Sequence, residues 1–212
     1  MEYTGRMITL TVTVVVFLII RIWAYSEYHY PLTAPPVLAI ICFFTAWWLG
    51  KQYDKAKYYS EKDALTGLFN RRFVNKVTPI LLAQMDSCNA KLSIAILDCN
   101  NFKIINDTYG HTKGDLVLQD FSAILSTVVR KNDVVARWGG DEFLIIAPAA
   151  DRNDVELIVT RFKTRLRDLS EKLGVEVSIS VGFAVYPDDT KSLDGLISIA
   201  DSAMYSLKTQ TH

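Results

Sequence analysis

Asp141 and Glu142 stand side by side in the string Arg137-Trp138-Gly139-Gly140-Asp141-Glu142-Phe143. Adjacent carboxylates beside two glycines have two readings. They can lie in water as an ordinary acidic turn, because Gly-Gly-Asp suits turn geometry. They can also be half of a cation site. Asp98 bears on the choice: it ends the apolar run of residues 92–97 and is followed by Cys99-Asn100-Asn101-Phe102-Lys103. If the strand carrying it lies beside the Asp141 turn, three carboxylates share one small volume and repel each other unless a cation is present. Hard oxygen donors with few His or Cys nearby select Mg²⁺, which keeps coordination positions open for water and phosphate. That combination points to nucleoside triphosphate chemistry.

A second group of polar residues follows in the connector 106–115, which holds Asn106, Asp107, His111, Lys113 and Asp115 around Gly110 and Gly114. Asp115 can favour the first turn of the next helix through its dipole. An Asn and an Asp together can also read guanine, whose edge offers two donors to a carboxylate and one acceptor to an amide. Lys103 and Lys208 are either solvated surface lysines or cations over phosphates. Arg130 and Asp133, spaced as Arg-x-x-Asp, can form a surface ion pair in a loop.

These residues need elements to hold them. The apolar, β-branched residues 134–136 and 143–147 read as a hairpin, with Gly139 and Gly140 expected to supply positive φ at its tip. Phe69, Phe73, Val77, Ile80 and Leu81 fit one face of a helix, residues 92–97 a short buried strand, and Val117, Phe121, Ile124, Leu125 and Val128 a second helix. Val155, Ile158, Phe162, Leu166, Leu169 and Leu173 mark a long third helix. Residues 175–186 return as a strand, and 193–207 close as a helix with Leu196, Ile197, Ala200 and Met204 inward. The order is that of an α+β fold: a central antiparallel sheet with helices packed on one face, consistent with a ferredoxin-like core.

The amino-terminal part is different. The chain has 212 residues and equal numbers of acidic and basic side chains, 23 of each, yet residues 7–20 and 32–50 are uncharged. Two transmembrane helices are expected, with Trp47 and Trp48 at an interface and Pro35 and Pro36 in the first turn of the second helix. A secretory signal is the competing reading of the first stretch, but no small-x-small cleavage pattern follows it. Arg6 precedes the first span, and Lys51, Lys55 and Lys57 follow the second. The positive-inside rule therefore places both ends in the cytoplasm, with Arg21 snorkelling at the outer side. The expected organisation is an anchor over 1–50, a helical stalk over 51–62 and a cytoplasmic domain over 63–212. Leu49, Tyr53, Ala56 and Ser60 form an a/d-like stripe too short to establish a coiled coil. Cys42, Cys88 and Cys99 match neither a disulfide nor a metal framework and fit a reducing compartment.

Five ordered blocks resemble one family. Residues 63–72 (Asp-Ala-Leu-Thr-Gly-Leu-Phe-Asn-Arg-Arg), 98–115, 139–143, 180–182 (Ser-Val-Gly) and 200–205 (Ala-Asp-Ser-Ala-Met-Tyr) together resemble the GGDEF domain of bacterial diguanylate cyclases, with its cyclase-palm fold. The resemblance implies condensation of two GTP into cyclic di-GMP with loss of two pyrophosphates, in a homodimer holding one GTP per subunit at the membrane, with no nucleic-acid partner. It implies that Asp98, Asp141, Glu142 and the Cys99 carbonyl hold Mg²⁺, and that Asp141 takes the proton of the ribose 3′-hydroxyl. Lys103 would stabilise charge on the phosphoryl group, Asn106 and Asp115 would bind guanine, His111 would lie at the substrate edge and Lys208 would hold the triphosphate. Arg130 and Asp133 occupy the position of the family's inhibitory product site, and Arg161 resembles an arginine that some members add to it; feedback inhibition by cyclic di-GMP is therefore expected. Asn100 stands where the family commonly has an acid, and His212 where it has a phosphate-binding arginine, so weaker triphosphate binding is expected. The alternative reading is a non-catalytic membrane receptor for GTP or cyclic di-GMP.

Overall fold

The computed structural model describes residues 3–29 and 37–210. Leu32, Pro35, Pro36 and His212 lie outside them, so the expectations attached to those residues are not addressed by the structure. The chain forms two compact units, Met1–Ser60 and Glu61–His212.

In the first unit, α1 (Thr4–Tyr28) is the one helix among the described residues long and apolar enough to cross a membrane. Two were expected. In α2 (Val37–Glu61) the uncharged part begins at Val37 and stops at Lys51, short of the roughly 20 apolar residues a span requires. The helix continues unbroken into the charged segment, so the expected second span and stalk are one element. The amino end of α1 is fastened to α2. Asp54 accepts hydrogen bonds from the Gly5 N–H at 2.6 Å and from the Arg6 side chain at 3.2 Å. A side chain on Gly50 would collide with Thr9 and the Arg6 backbone, so the two helices touch there only because that position is glycine.

The second unit is built on a five-stranded sheet ordered β1-β3-β4-β2-β5, from β1 (Phe69–Asn70), β2 (Leu92–Cys99), β3 (Val134–Arg137), β4 (Glu142–Pro148) and β5 (Ile179–Tyr186). The helices are α3 (Arg71–Ser87), α4 (Phe102–Tyr109), α5 (His111–Val128), α6 (Arg152–Leu173) and α7 (Leu193–Gln210). From β2 to β5 the path is that of a βαββαβ unit, as expected. Two expectations are corrected. The sheet is mixed, because β1 runs parallel to β3 while the other pairs are antiparallel. Helices cover both faces instead of one, giving a mixed α/β sandwich.

The reason lies in the strands. All eight residues of β2 are buried, and alternate side chains enter different cores. Leu92, Ile94 and Ile96 pack with residues of α3 and α7, whereas Ala95, Leu97 and Cys99 pack with those of α5 and α6. A near-continuous apolar strand is the mark of burial on both sides. Phe69, expected on a helix, pairs in β1; Asn70 then caps α3 by accepting from the Phe73 N–H at 3.0 Å. Ile80, expected to point inward on α3, is exposed.

Candidate active site

The hairpin tip is positioned by its own strands and by β2. Phe143 is fully buried and stacks on Phe121 at 4.4 Å, which anchors the carboxyl-side strand in the α5–α6 core. Register then places Asp98 opposite Glu142. Beyond that pair, the Cys99 N–H donates to the Asp141 carbonyl at 3.0 Å, bringing the turn against the end of β2. The tip closes through the Trp138 N–H to the Glu142 carbonyl at 2.8 Å. Neither Gly139 nor Gly140 has positive φ, contrary to expectation. A side chain at 139 would meet the Glu142 carboxylate, so space rather than backbone angle requires that glycine; nothing in the fold crowds position 140.

Arg137 braces this turn. Its guanidinium donates to the Gly140 carbonyl at 2.7 and 3.0 Å and to Asp63 at 3.1 Å, while Asp63 also accepts from the Thr66 N–H and hydroxyl. Burial alone would raise the Asp63 pKa, but the Thr66 and Arg137 hydrogen bonds outweigh it and hold the carboxyl below its ordinary value. Asp63 and Arg137 were absent from the expected site. A basic residue directly before an acidic turn was the available signal for Arg137.

The electrostatics around Asp98 are those of a site short of positive charge. Asp98 is 5 % exposed, and its pKa is raised, first by burial and then by Asp141 and Asp201, against the opposing pull of Lys208. Glu142 is likewise raised by burial and by Asp98, Asp201 and Asp141. The Lys208 ammonium lies 2.6 Å from Asp98 Oδ1. Burial disfavours its charge, yet the bond to Asp98 and attraction from Asp98, Asp141 and Glu142 keep its pKa raised. Burial, then Asp141 and Asp98, push the Cys99 thiol up to about 12, so its side chain is neutral and only its carbonyl can act as a donor. Asp201, on α7 with Lys208, is a contributor that sequence reasoning missed. Among the described residues no three His, Cys, Asp or Glu side chains are gathered as a finished metal site. The donor set nevertheless suits a hard cation: oxygen ligands in excess of local positive charge, with a lysine drawn onto the most buried one.

The remaining expected residues are distributed over neighbouring elements. Lys103 is exposed on α4, and His111 and Asp115 are exposed on α5. Gly110, with φ 82°, breaks α4 from α5 in a conformation that favours glycine. The break folds Asn106 over Gly114, where a side chain would strike the Asn106 amide oxygen, and so sets Asn106 beside the backbone that carries Asp115. Arg130 and Asp133 meet, but through the Arg130 N–H to Asp133 Oδ2 at 2.7 Å. The Arg130 guanidinium instead binds Asp154 on α6 at 2.8 Å, a partner not expected from the sequence. Burial raises the Asp133 pKa, partly offset by Arg130. Arg161 is exposed two helical turns after Asp154 and so on the same face of α6.

The profile of the family described as "Diguanylate cyclase, GGDEF domain" matches residues 60–212. Among curated relatives, the cyclic di-GMP phosphodiesterase PdeR of Escherichia coli is 35% identical over 158 residues, covering 73% of this chain and 23% of PdeR. The diguanylate cyclase DosC of Escherichia coli is 35% identical over 150 residues, covering 69% of this chain and 32% of DosC. The chain thus spans less than half the length of these relatives. Among solved structures, the coiled coil and GGDEF domain of DgcB from Caulobacter crescentus, in complex with c-di-GMP, superposes with a TM-score of 0.72 at 25% identity, covering 83% of this chain and 96% of that one.

Proposed function

The chain belongs to the GGDEF family and is closely related to known diguanylate cyclases; from that premise we propose that it condenses two GTP into cyclic di-GMP, releasing two pyrophosphates, as a membrane-anchored homodimer. One observation carries this reading: Asp98 faces Glu142 across the β2–β4 ladder, Asp141 is bonded to Cys99, and the surplus negative charge has drawn Lys208 onto Asp98. The family works with Mg²⁺, for which Asp98, Asp141, Glu142 and the Cys99 carbonyl are the proposed ligands. When bound, the ion would supply Lewis acidity toward the α-phosphate.

The chain's own groups do the rest. Asn106 and Asp115 would fix guanine, His111 would line the substrate edge, and Lys103 would offset charge growing on the phosphoryl oxygens. Asp141 would accept the proton of the 3′-hydroxyl as that oxygen bonds to the α-phosphorus of the GTP on the second subunit and the bond to pyrophosphate breaks. Repetition in the opposite sense closes the ring. Both halves must face each other, because alignment supplies much of the rate. Lys208 would leave Asp98 for the triphosphate. Arg130, Asp133 and Arg161 would bind product and limit turnover, which requires Arg130 to exchange Asp154 for a phosphate or a guanine.

The anchor would consist of α1 and the apolar part of α2 with the segment before it, and both ends would face the cytoplasm. The junction of Gly5 and Arg6 with Gly50 and Asp54 supports this arrangement by holding the start of α1 beside the end of the apolar part of α2. The three proposed zones are 1–50, 51–62 and 63–212. The test is incubation of the full chain, purified in detergent, with Mg²⁺ and GTP, followed by chromatography. Cyclic di-GMP and pyrophosphate in a 1:2 ratio are expected. Absence of product under conditions in which the chain dimerises and binds cyclic di-GMP would instead support a receptor.

A further inference from the structure

Asn100 lies between the proposed metal-binding end of β2 and the helix that carries Lys103 and Asn106, and it is tied to neither neighbour in sequence. Its backbone N–H donates to the Ser178 carbonyl at 3.0 Å. Its side-chain amide donates to Ser178 Oγ at 3.1 Å while its amide oxygen accepts from the Ser180 hydroxyl at 2.8 Å. Ser180 pairs in register with Asp98, and Ile179 with Cys99. One amide therefore clips the chain leaving β2 to the residues that open β5. It spans the point where the β2–β4 ladder has ended, at Asp98–Glu142.

The next residue shows what the clip restrains. Asn101 has φ 56° and ψ 22°, a left-handed conformation, and it stands at the N-cap position directly before α4. Asparagine is among the few non-glycine residues that take up this region readily, so residue 101 forms a defined kink whose direction follows from how the chain before it is held. If residues 99–101 relax, the Cys99 carbonyl turns and the first turn of α4, with Lys103, shifts against the part of the helix that Ile105 anchors in the core. We propose that Asn100 is a positioning residue: by gripping Ser178 and Ser180 it sets the direction of the Cys99 carbonyl and the launch of α4, and so couples the cation site to the nucleotide site. This rests on the proposed function, in which the Cys99 carbonyl is a metal ligand. The strand itself does not need the clip, since residues 92–98 are hydrogen-bonded to strands on both sides.

The experiment compares the full chain in detergent with Asn100→Ala and Asn100→Asp. An aspartate can accept hydrogen bonds from both serine hydroxyls once Ser178 rotates, so it keeps the grip; alanine loses it. Amide hydrogen exchange without metal or nucleotide is read in peptides covering 92–97 and 99–103, and Mg²⁺–GTP binding is read by calorimetry. In Asn100→Ala, exchange at 99–103 is expected to rise roughly tenfold with residues 92–97 unchanged, and the Mg²⁺ needed for half-maximal binding and turnover to rise about 10- to 100-fold, the range typical of lost outer-sphere support. Asn100→Asp is expected to return both within about threefold of wild type, on the scale of one ordinary hydrogen bond. Asn100→Ala with unchanged exchange and unchanged Mg²⁺ requirement overturns the proposal, as does an Asn100→Asp chain no better than Asn100→Ala. A wild-type chain that makes no cyclic dinucleotide, with the exchange and calorimetric differences as stated, overturns the cyclase reading and leaves the clip supported.

Discussion

Replacing Lys208 by Met tests whether the carboxylate cluster is short of positive charge. The ammonium sits 2.6 Å from an Asp98 carboxylate that is 7 % exposed, and is itself 34 % exposed. Removing one partner of a fully buried pair costs about 3–5 kcal/mol, and an exposed pair contributes about 0–1. With one partner buried and the other at the boundary, roughly 2 kcal/mol is expected, which for a unit of this size lowers the thermal midpoint by about 4–8 °C. The dependence on pH gives the reasoning a sign. The Asp98 pKa is already raised by burial, and losing Lys208 raises it further. A carboxyl with a raised folded-state pKa costs nothing while protonated and destabilises progressively as pH rises through that pKa. The deficit of Lys208→Met should therefore be small near pH 4 and largest near neutrality.

The assay is thermal unfolding of the full chain in detergent with chelator, from pH 4 to 8, for Lys208→Met, Asp98→Asn and the double variant. Asp98→Asn should recover more than half of the neutral-pH deficit in the Lys208→Met background, because the unpaired charge is gone. Mg²⁺ should recover part of it in Lys208→Met, since a cation can take the place of the lysine. A deficit that is constant with pH and indifferent to Asp98 would refute the electrostatic account and assign the loss to packing of the lysine stem.

Gly182→Ala should be severe, because the added carbon would strike the Ala200 carbonyl and lie 2.5 Å from the Met204 nitrogen, backbone atoms that cannot step aside. Overpacking of about 1–3 kcal/mol or more is expected by thermal unfolding, together with loss of turnover as α7 and Lys208 are displaced. Asp141→Asn should reduce product formation below detection while the far-ultraviolet circular dichroism and thermal midpoint stay near wild type, since its side chain is a partly exposed turn group. Arg130→Ala should raise the concentration of cyclic di-GMP needed for half-inhibition by at least tenfold with initial rates preserved; an unchanged inhibition curve would remove Arg130 from the product site.

Much of the fold was legible because burial writes itself into residue pattern. The alternation of α5 and α6 positions and the apolar run ending at Asp98 led to the right elements, and the run's lack of polar alternation already contained the two-faced burial that a one-faced sheet contradicts. The meeting of Asp98 with Glu142 was legible for the same reason, since the hairpin pairs beside β2 and the register sets the two opposite each other, but the expected gathering of three carboxylates is not seen as a metal site among the described residues. Contacts between distant side chains were not. Lys208 and Asp98 are 110 residues apart, Arg137 and Asp63 are 74 apart, and nothing local to any of them names its partner. The glycines mislead for another reason. Glycine in a turn suggests positive φ, but position 139 is constrained by a neighbouring carboxylate and position 140 by nothing within the fold.

The brace at Arg137 joins two regions that the sequence keeps apart. Helix α2 ends at Glu61, whose carboxylate binds Lys76 on α3 at 2.8 Å. The next residue, Lys62, bridges to Phe69 and lies over its ring at 3.4 Å, and the next, Asp63, holds Arg137. Arg137 in turn holds the Gly140 carbonyl, one residue before Asp141. The entry point of the second unit and its carboxylate turn are thus separated by a single ion pair with both partners largely enclosed. Breaking it would remove the link between the turn and the 63–68 loop, while leaving the Arg137–Gly140 bonds, the Cys99–Asp141 bond and the Asp63–Thr66 bonds in place. Asp63 thus sits between two sets of contacts: Thr66 and the Leu68 carbonyl within its own loop, and Arg137, which reaches the residue before Asp141.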